Sequence, residues 1–265
     1  MQVSHSRIEC FKKCPYQFKL RYVDNLDTLP TDDPQSPLIL GHALHTGIEK
    51  DVQAAINEYY GAYPVITDKH IDEALKLEYW LPRVKELLPR YGLHEIEIKD
   101  EDYVGYIDYL APVEFGFDTD GIEYFDLYDF KYSNNIKNYE DSEQLHLYKY
   151  YFEKLNPGKR IRNMYFMFVP KCQIRIKYKN KTNKRDETLQ EFRKRIIEDL
   201  ESKQIEFLKI DYDPNKVIEF LTNTKHAIEA EDFPKNETRL CDWCNFKAFC
   251  QEGIDYDIIQ RKRRW

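Results

Sequence analysis

Between residues 94 and 133 the hydrophobic pattern changes from helical to alternating, and that change bounds what the chain can fold into. "HEIEIKDEDYVGYIDYLAPV" and "GIEYFDLYDFKYS" are rich in Ile, Val, Tyr and Phe. They are expected to form consecutive strands joined by the turn-like "GFDTDG". Helical periodicity lies on either side. Residues 4 to 26 carry Ile8, Phe11, Phe18 and Tyr22 at helical intervals, with Ser4 or Ser6 as cap and Pro15 opening a second helix at its first turn. After the polar loop "DTLPTDDPQSP", the segment "LILGHALHTGIEKDVQAAINEYY" places Leu44, Ile48, Val52, Ala55 and Tyr59 on one stripe, as an amphipathic helix would. A further helix is expected over "DEALKLEYWLPRVKELLPRY", kinked at Pro82.

Beyond the strands, "SEQLHLYKYYFEKL" reads as helix, "RIRNMYFMFVP" and "QIRIKYK" as strands, and residues 187 to 208 and 214 to 230 as helices. The order is that of an α/β domain with a central mixed sheet flanked by helices. With 265 residues, 42% of them hydrophobic, the chain suffices for one large domain spanning 1–265. No apolar run reaches the roughly 18 to 20 residues of a membrane helix, and "MQVSHSRIEC" has no apolar signal region. A cytoplasmic location with no membrane partner is therefore expected. The formal charge of -7 excludes a uniformly basic coat but not a local basic patch. Six cysteines without a secretion signal point to reduced thiols or metal ligation.

Chemistry concentrates in "EYFDLYDFKYSNN". Strand interiors avoid Asp and Lys, yet Asp129 and Lys131 project to one sheet face with Phe130 on the other. A carboxylate is a hard oxygen ligand for Mg²⁺, and a neighbouring lysine can orient a water. Asp108, in "GYIDYL", reaches the same ion if the two strands pair. Asp126, three residues before Asp129, falls on the opposite face. His45 lies on the same helical side as Ile48, Glu49 and Val52, and Gln144 and Tyr148 share a helix face just after the Asp129 strand. Each feature alone is more often a surface ion pair, a satisfied core or boundary histidine, or ordinary helix surface.

The ordered set "GHALH", "GYIDYL", "YDFKYS" and "QLHLY" resembles the RecB-like branch of the PD-(D/E)xK nuclease superfamily. The resemblance runs from about residue 4 to residue 250 and implies a restriction-endonuclease-like core. By that resemblance His45, Asp108 and Asp129 would be metal ligands, joined by the Phe130 backbone carbonyl, for Mg²⁺ or Mn²⁺. Lys131 would be the catalytic lysine, with Gln144 and Tyr148 positioning DNA and the site. The opening "SHSRIECFKKCPYQFKLRYV" is also similar to the branch's N-terminal helix, where a Ser, a Cys-Pro pair and an aromatic recur.

"CDWCNFKAFC" holds Cys241, Cys244 and Cys250 within ten residues, one thiolate short of a four-coordinate site. AddB-type relatives take the fourth from the N-terminal Cys-Pro motif, so the resemblance implies a [4Fe-4S] cluster on Cys14, Cys241, Cys244 and Cys250. The segment 236–252 would then pack on the N-terminal helix. A Zn²⁺ site on the same thiolates is the alternative, and Cys10, one turn before Cys14, is a possible substitute ligand. Cys172 reads as a packed strand thiol. In "PKCQIRIKYKNKTNKRDE", Ile174, Ile176 and Tyr178 alternate with Arg175, Lys177 and Lys179, which suits either a phosphate-binding surface or a solvated hairpin face. "RKRRW" is a short basic tail.

The resulting expectation is a metal-dependent DNase, an exonuclease or single-strand nuclease, acting in repair, recombination, phage or CRISPR-related processing. No "GxxxxGK[ST]" loop is present, so a helicase motor would be a separate subunit. The alternatives are a non-catalytic nucleic-acid-binding scaffold module and a zinc-stabilised interaction domain.

Overall fold

A computed structural model describes residues 2–117 and 121–260, with the backbone alone at 114–117. The turn at "GFDTDG" and the tail "RKRRW" fall largely or wholly outside the described residues. The chain opens with α1 (His5–Lys13), capped by the Ser4 side chain, and α2 (Pro15–Phe18), with Pro15 at its first position. A π-helical turn (Lys19–Val23) leads to β1 (Leu26–Thr28). Next come α3 (Pro37–Glu49), α4 (Val52–Gly61) and α5 (Asp68–Leu87), the last running on through Pro82. The sheet is built from β2 (Leu93–Lys99), β3 (Val104–Phe117), β4 (Glu123–Tyr132), β5 (Lys159–Val169) and β6 (Glu206–Ile210). Helices α6 (Gln144–Leu155), α7 (Leu189–Glu201) and α8 (Pro214–Glu229) complete the layers, and β7 (Ile258–Gln260) pairs with β1.

The sheet order is β2-β3-β4-β5-β6. β4 and β5 are parallel, joined through α6, and the other neighbours are antiparallel. This is the expected central mixed sheet flanked by helices. One face buries Leu44, Ile48, Tyr59, Leu77, Leu81 and Ile196 under α3, α4, α5 and α7. The other buries Ile8, Phe18, Leu147, Phe166 and Phe220 under α1, α6 and α8. β4 lies inside the sheet, so Asp129 near its end is surrounded by protein.

Four expectations need correction. The long helix after the first loop is two helices, because Asp51 caps a new one by accepting from the Ala54 N–H at 2.8 Å; Val52 therefore begins α4 instead of extending the His45 face. The segment from 94 to 113 is a hairpin of two strands, turning near Asp100, whose N–H donates to Tyr103 at 2.9 Å. The helix expected over 187–208 stops at Glu201, and Glu206–Ile210 is an edge strand. Its alternation places Leu208 and Ile210 on the core.

Finally, "QIRIKYK" forms no strand, and Cys172, though buried, is not in one. Ile174 and Ile176 pack on the core as the alternation required. However, β4 and β6 already occupy both edges of β5, so the segment cannot pair with the strand it follows. Side chains substitute: Glu187 accepts from the Lys177 N–H at 2.9 Å and Asp186 from the Lys179 N–H at 2.7 Å.

Gly47 marks the tightest helix contact. A Cβ there would lie 2.5 Å from Leu81 Cδ1 and 2.8 Å from Ala55 Cβ. Gly47→Ala is expected to destabilise the protein by about 1–3 kcal/mol through overpacking, measurable as a shift in the urea midpoint at unchanged slope.

Candidate active site and cysteine-lined cavity

The site lies where the sheet's ladders open. β3 and β4 pair through Tyr109↔Tyr128. One step further, the Asp108 side chain takes over from the ladder, with Oδ2 accepting the Phe130 N–H at 2.7 Å. On the other side of β3 the register passes from His94↔Tyr109 to Ile96↔Ile107. Between them Glu95 has a left-handed φ of 50°, a conformation costly for a residue with a Cβ. The distortion brings the Glu95 carboxylate to 3.7 Å from His45 Nδ1, which is also 3.5 Å from Asp108 Oδ1. The His45 Nε2 is 3.2 Å from the Phe130 carbonyl oxygen.

Asp129 is 1% exposed and Asp108 8%. Lys131 forms an ion pair with Asp129 Oδ1, and its ammonium also donates to Gln144 Oε1 at 3.1 Å. The Gln144 amide nitrogen donates to Asp129 Oδ2 at 2.8 Å and to the Tyr148 hydroxyl at 2.9 Å. One amide thus fixes the positions of three groups, which its four-residue spacing from Tyr148 permits. Gly105 admits Tyr148 to this arrangement: a Cβ there would lie 2.7 Å from the Tyr103 hydroxyl and 3.0 Å from Tyr148 Cε1. Asp126 is elsewhere, held by Arg162 at 3.0 and 3.2 Å and by Asn163 at 2.8 Å.

Burial, and then the neighbouring Asp129 charge, push the Asp108 carboxyl up to about 7. Burial works against the charge on His45, but the neighbouring Glu95, Asp108 and Asp129 carboxylates outweigh it and raise the imidazole to about 9. Burial likewise opposes the Lys131 charge, while Asp129 and Asp108 hold its ammonium above the ordinary range. Buried like charges of this kind are what a divalent cation relieves. The donor set fits one: hard carboxylate oxygens, a backbone carbonyl and an imidazole whose proton the cation would replace. Ligand atoms of His45, Glu95 and Asp108 lie within 4.8 Å of one another. His45 turns Nδ1 toward Asp108 and Glu95 and Nε2 toward the Phe130 oxygen, so it would offer an ion at the carboxylates one nitrogen, Nδ1.

A cleft of about 1050 Å³ opens on this constellation, lined by Asp108, Lys131, Gln144 and Tyr148 on one side and by Ser4, His5, Arg7 and Cys10 of the N-terminal segment on the other. A family model of the PD-(D/E)XK nuclease superfamily matches residues 2–251. The chain belongs to that superfamily. Membership in this nuclease superfamily implies metal-dependent hydrolysis and a nucleic acid substrate. No curated protein matches the chain.

The nuclease has a second hollow, of about 240 Å³, lined by Cys14, Cys241, Cys244 and Cys250 together with Tyr16, Leu20, Trp243 and Phe246. Cys14 ends α1, Cys241 lies in a 3₁₀ turn (Arg239–Trp243) that Cys244 caps, and Cys250 lies in a π-helical turn (Ala248–Glu252). The C-terminal segment is tied to the N-terminal helices: the Tyr16 N–H donates to the Pro234 carbonyl at 3.2 Å, and the Asn236 amide to the Lys13 carbonyl at 2.8 Å. Burial raises the Cys244 thiol, and Cys14, Cys241 and Cys250 raise it further, so the four thiols feel one another. Cys10 lines the other cleft yet feels Cys14 and Cys244 too: burial first, and then those thiols, push it up to about 11 against the Arg21 charge.

Arg175, Lys177 and Lys179 are exposed on the irregular segment before α7; of the three, Lys177 lines a shallow depression in which Lys184 and Arg185 mix with Asp186, Glu187 and Glu191. Sequence reasoning missed Glu95. Its signal was an acidic residue in "HEIEIK", on the strand beside Asp108, but simple alternation does not reveal the irregularity that turns it to His45. Among the described residues no helix is long and apolar enough to cross a membrane.

Proposed function

We propose that this nuclease is a Mg²⁺- or Mn²⁺-dependent deoxyribonuclease of the RecB-like branch, acting on single-stranded DNA or on DNA ends, and carrying a [4Fe-4S] cluster on Cys14, Cys241, Cys244 and Cys250. The observation that carries the catalytic part is the convergence of His45, Glu95 and Asp108, with the Phe130 carbonyl against His45 and Asp129 on the adjoining residue paired with Lys131. When bound there, the divalent ion supplies Lewis acidity toward the scissile phosphate. Asp108 and Asp129 hold it with His45, and Lys131, fixed by Gln144, orients the attacking water or neutralises charge developing on the phosphate. Tyr148 anchors the Gln144 amide from its other side.

Tyr22, Tyr106 and Tyr139 line the cleft, and tyrosine rings are platforms on which unpaired bases stack. Arg7, Lys13 and Arg21 in the same cleft suit phosphate contact, with Arg175, Lys177 and Lys179 as an outlying basic strip. For the cysteines, the grouping of all four proposed ligands around one hollow, with Cys10 in another, supports the four-thiolate set. Iron with visible absorbance is expected, and stoichiometric zinc would replace the cluster in this reading.

The deciding experiment incubates anaerobically purified protein with end-labelled single- and double-stranded DNA and Mg²⁺, Mn²⁺ or chelator, beside Asp108→Ala. Metal-dependent cleavage absent from the variant is expected, and the product ladder reports polarity. Binding without cleavage under every metal would leave a nucleic-acid-binding scaffold as the better reading. Glu95→Gln is expected to weaken divalent-ion affinity roughly tenfold, in line with groups that orient and charge a metal ligand. Calorimetric titration with Mn²⁺ measures it, and unchanged affinity would remove Glu95 from the site.

A further inference from the structure

The N-terminal helix contributes an ionic contact that ends one residue from the catalytic amide. Lys12, on α1, places its ammonium 3.0 Å from Glu143 Oε1, 3.0 Å from Glu9 Oε1 and 3.7 Å from Glu219 Oε1. Glu143 immediately precedes α6 and is 3% exposed, and its Oε2 has no hydrogen-bond partner. His5, Glu9 and Glu143 also bring ligand atoms within 4.8 Å of one another, but the Lys12 ammonium already provides the cation for these carboxylates. The next residue, Gln144, is the side chain that bonds Lys131, Asp129 and Tyr148.

We propose that Lys12 is a positioning residue for the nuclease reaction: by neutralising buried Glu143 it sets the first turn of α6, and so the placement of the Gln144 amide against Lys131 and Asp129. This rests on the nuclease reading above. A buried carboxylate whose partner is deleted must take up a proton or move toward water; the first removes the ionic tie that holds the start of α6 to α1, and the second shifts the backbone that carries Gln144. A displacement of about 1 Å in such an arrangement costs on the order of 10²-fold in rate. Glu219 is half exposed, and its screened contact adds little.

The test compares Lys12→Met, Lys12→Arg, Glu143→Gln and Glu219→Gln. Lys12→Met is expected to lower kcat tenfold to a hundredfold with KM within twofold, and Lys12→Arg to restore most of it. Glu143→Gln, which leaves Lys12 without its buried partner, is expected to fall with Lys12→Met. Glu219→Gln is expected to match wild type, because it removes a tie between α1 and α8 that does not reach Gln144. The second readout is the Gln144 side-chain amide resonance, expected to shift in Lys12→Met and to hold in Glu219→Gln. Wild-type kcat in Lys12→Met, or an equal loss in Glu219→Gln, overturns the proposal. If wild type cuts no nucleic acid under any metal, the nuclease reading fails by itself. The amide resonance then decides Lys12: a shift in Lys12→Met supports the positioning role and an unmoved signal overturns it.

Discussion

Lys131→Ala is expected to lower the rate of phosphodiester cleavage by about 10²–10³-fold, the range for deleting one preorganised group that stabilises transition-state charge, without weakening divalent-ion binding. The two effects separate because of where the ammonium lies. It forms an ion pair with Asp129, donates to Gln144 at 3.1 Å, and is 5.5 Å from the Tyr139 and Phe166 ring centres. It is a buried cation beside the carboxylates, not a ligand. Deleting it removes repulsion toward an incoming cation but leaves the reacting phosphate without its fixed charge. Single-turnover cleavage at saturating Mn²⁺, beside a calorimetric Mn²⁺ titration, reads both quantities. Recovery of the rate at higher metal would mean that Lys131 serves only to assemble the metal site. Lys131→Arg is expected to rescue little, since a planar fork does not reproduce a compact ammonium held by one amide oxygen.

Cys241→Ala is expected to abolish the visible absorbance and iron content and to lower the melting temperature by roughly 8–16 °C, whereas Cys10→Ala leaves all three unchanged. The magnitude follows from linkage: an occupant present at a thousand times its Kd stabilises by about 4 kcal/mol, and each kcal/mol moves the midpoint by roughly 2–4 °C for a chain of this size. The asymmetry follows from geometry. Cys241 shares its hollow with Cys14, Cys244 and Cys250, while Cys10 lines the larger cleft. The proposed thiolate set would also join chain segments more than two hundred residues apart, so its loss would free the C-terminal end of α1, whose Lys13 also lines the cleft. A reduced cleavage rate in Cys241→Ala, restored by none of the added divalent ions, is the accompanying expectation. Loss of absorbance in Cys10→Ala with retention in Cys14→Ala would reassign the fourth ligand.

Much of this fold was legible because local pattern and tertiary environment agree. The stripe through Leu44 and Ile48 is buried as helical spacing requires, Pro15 opens α2, and the alternation around Asp129 and Lys131 is that of a strand inside the sheet. Where local pattern depends on a partner, reading the chain failed. "QIRIKYK" alternates as well as any strand, but both edges of β5 were already taken. Residues 205 to 208 read as the end of a helix until β5 offered them an edge.

The sequence by itself determined the chemical inventory: a histidine on a helix, two strand carboxylates, a lysine two residues on, a glutamine four residues before a tyrosine, and cysteines at both ends. Side-chain type and period-2 or period-3.6 spacing decide which groups share a face, and both are local properties. Only the tertiary structure decided how the faces meet. It turned Glu95 toward His45 through a strained φ, let the Asp108 carboxylate replace a ladder bond to Phe130, gathered Cys14 around one hollow with Cys241, Cys244 and Cys250, and set Lys12 against Glu143. Those contacts depend on strand register and helix docking across long sequence separations, where one residue's shift changes the partner.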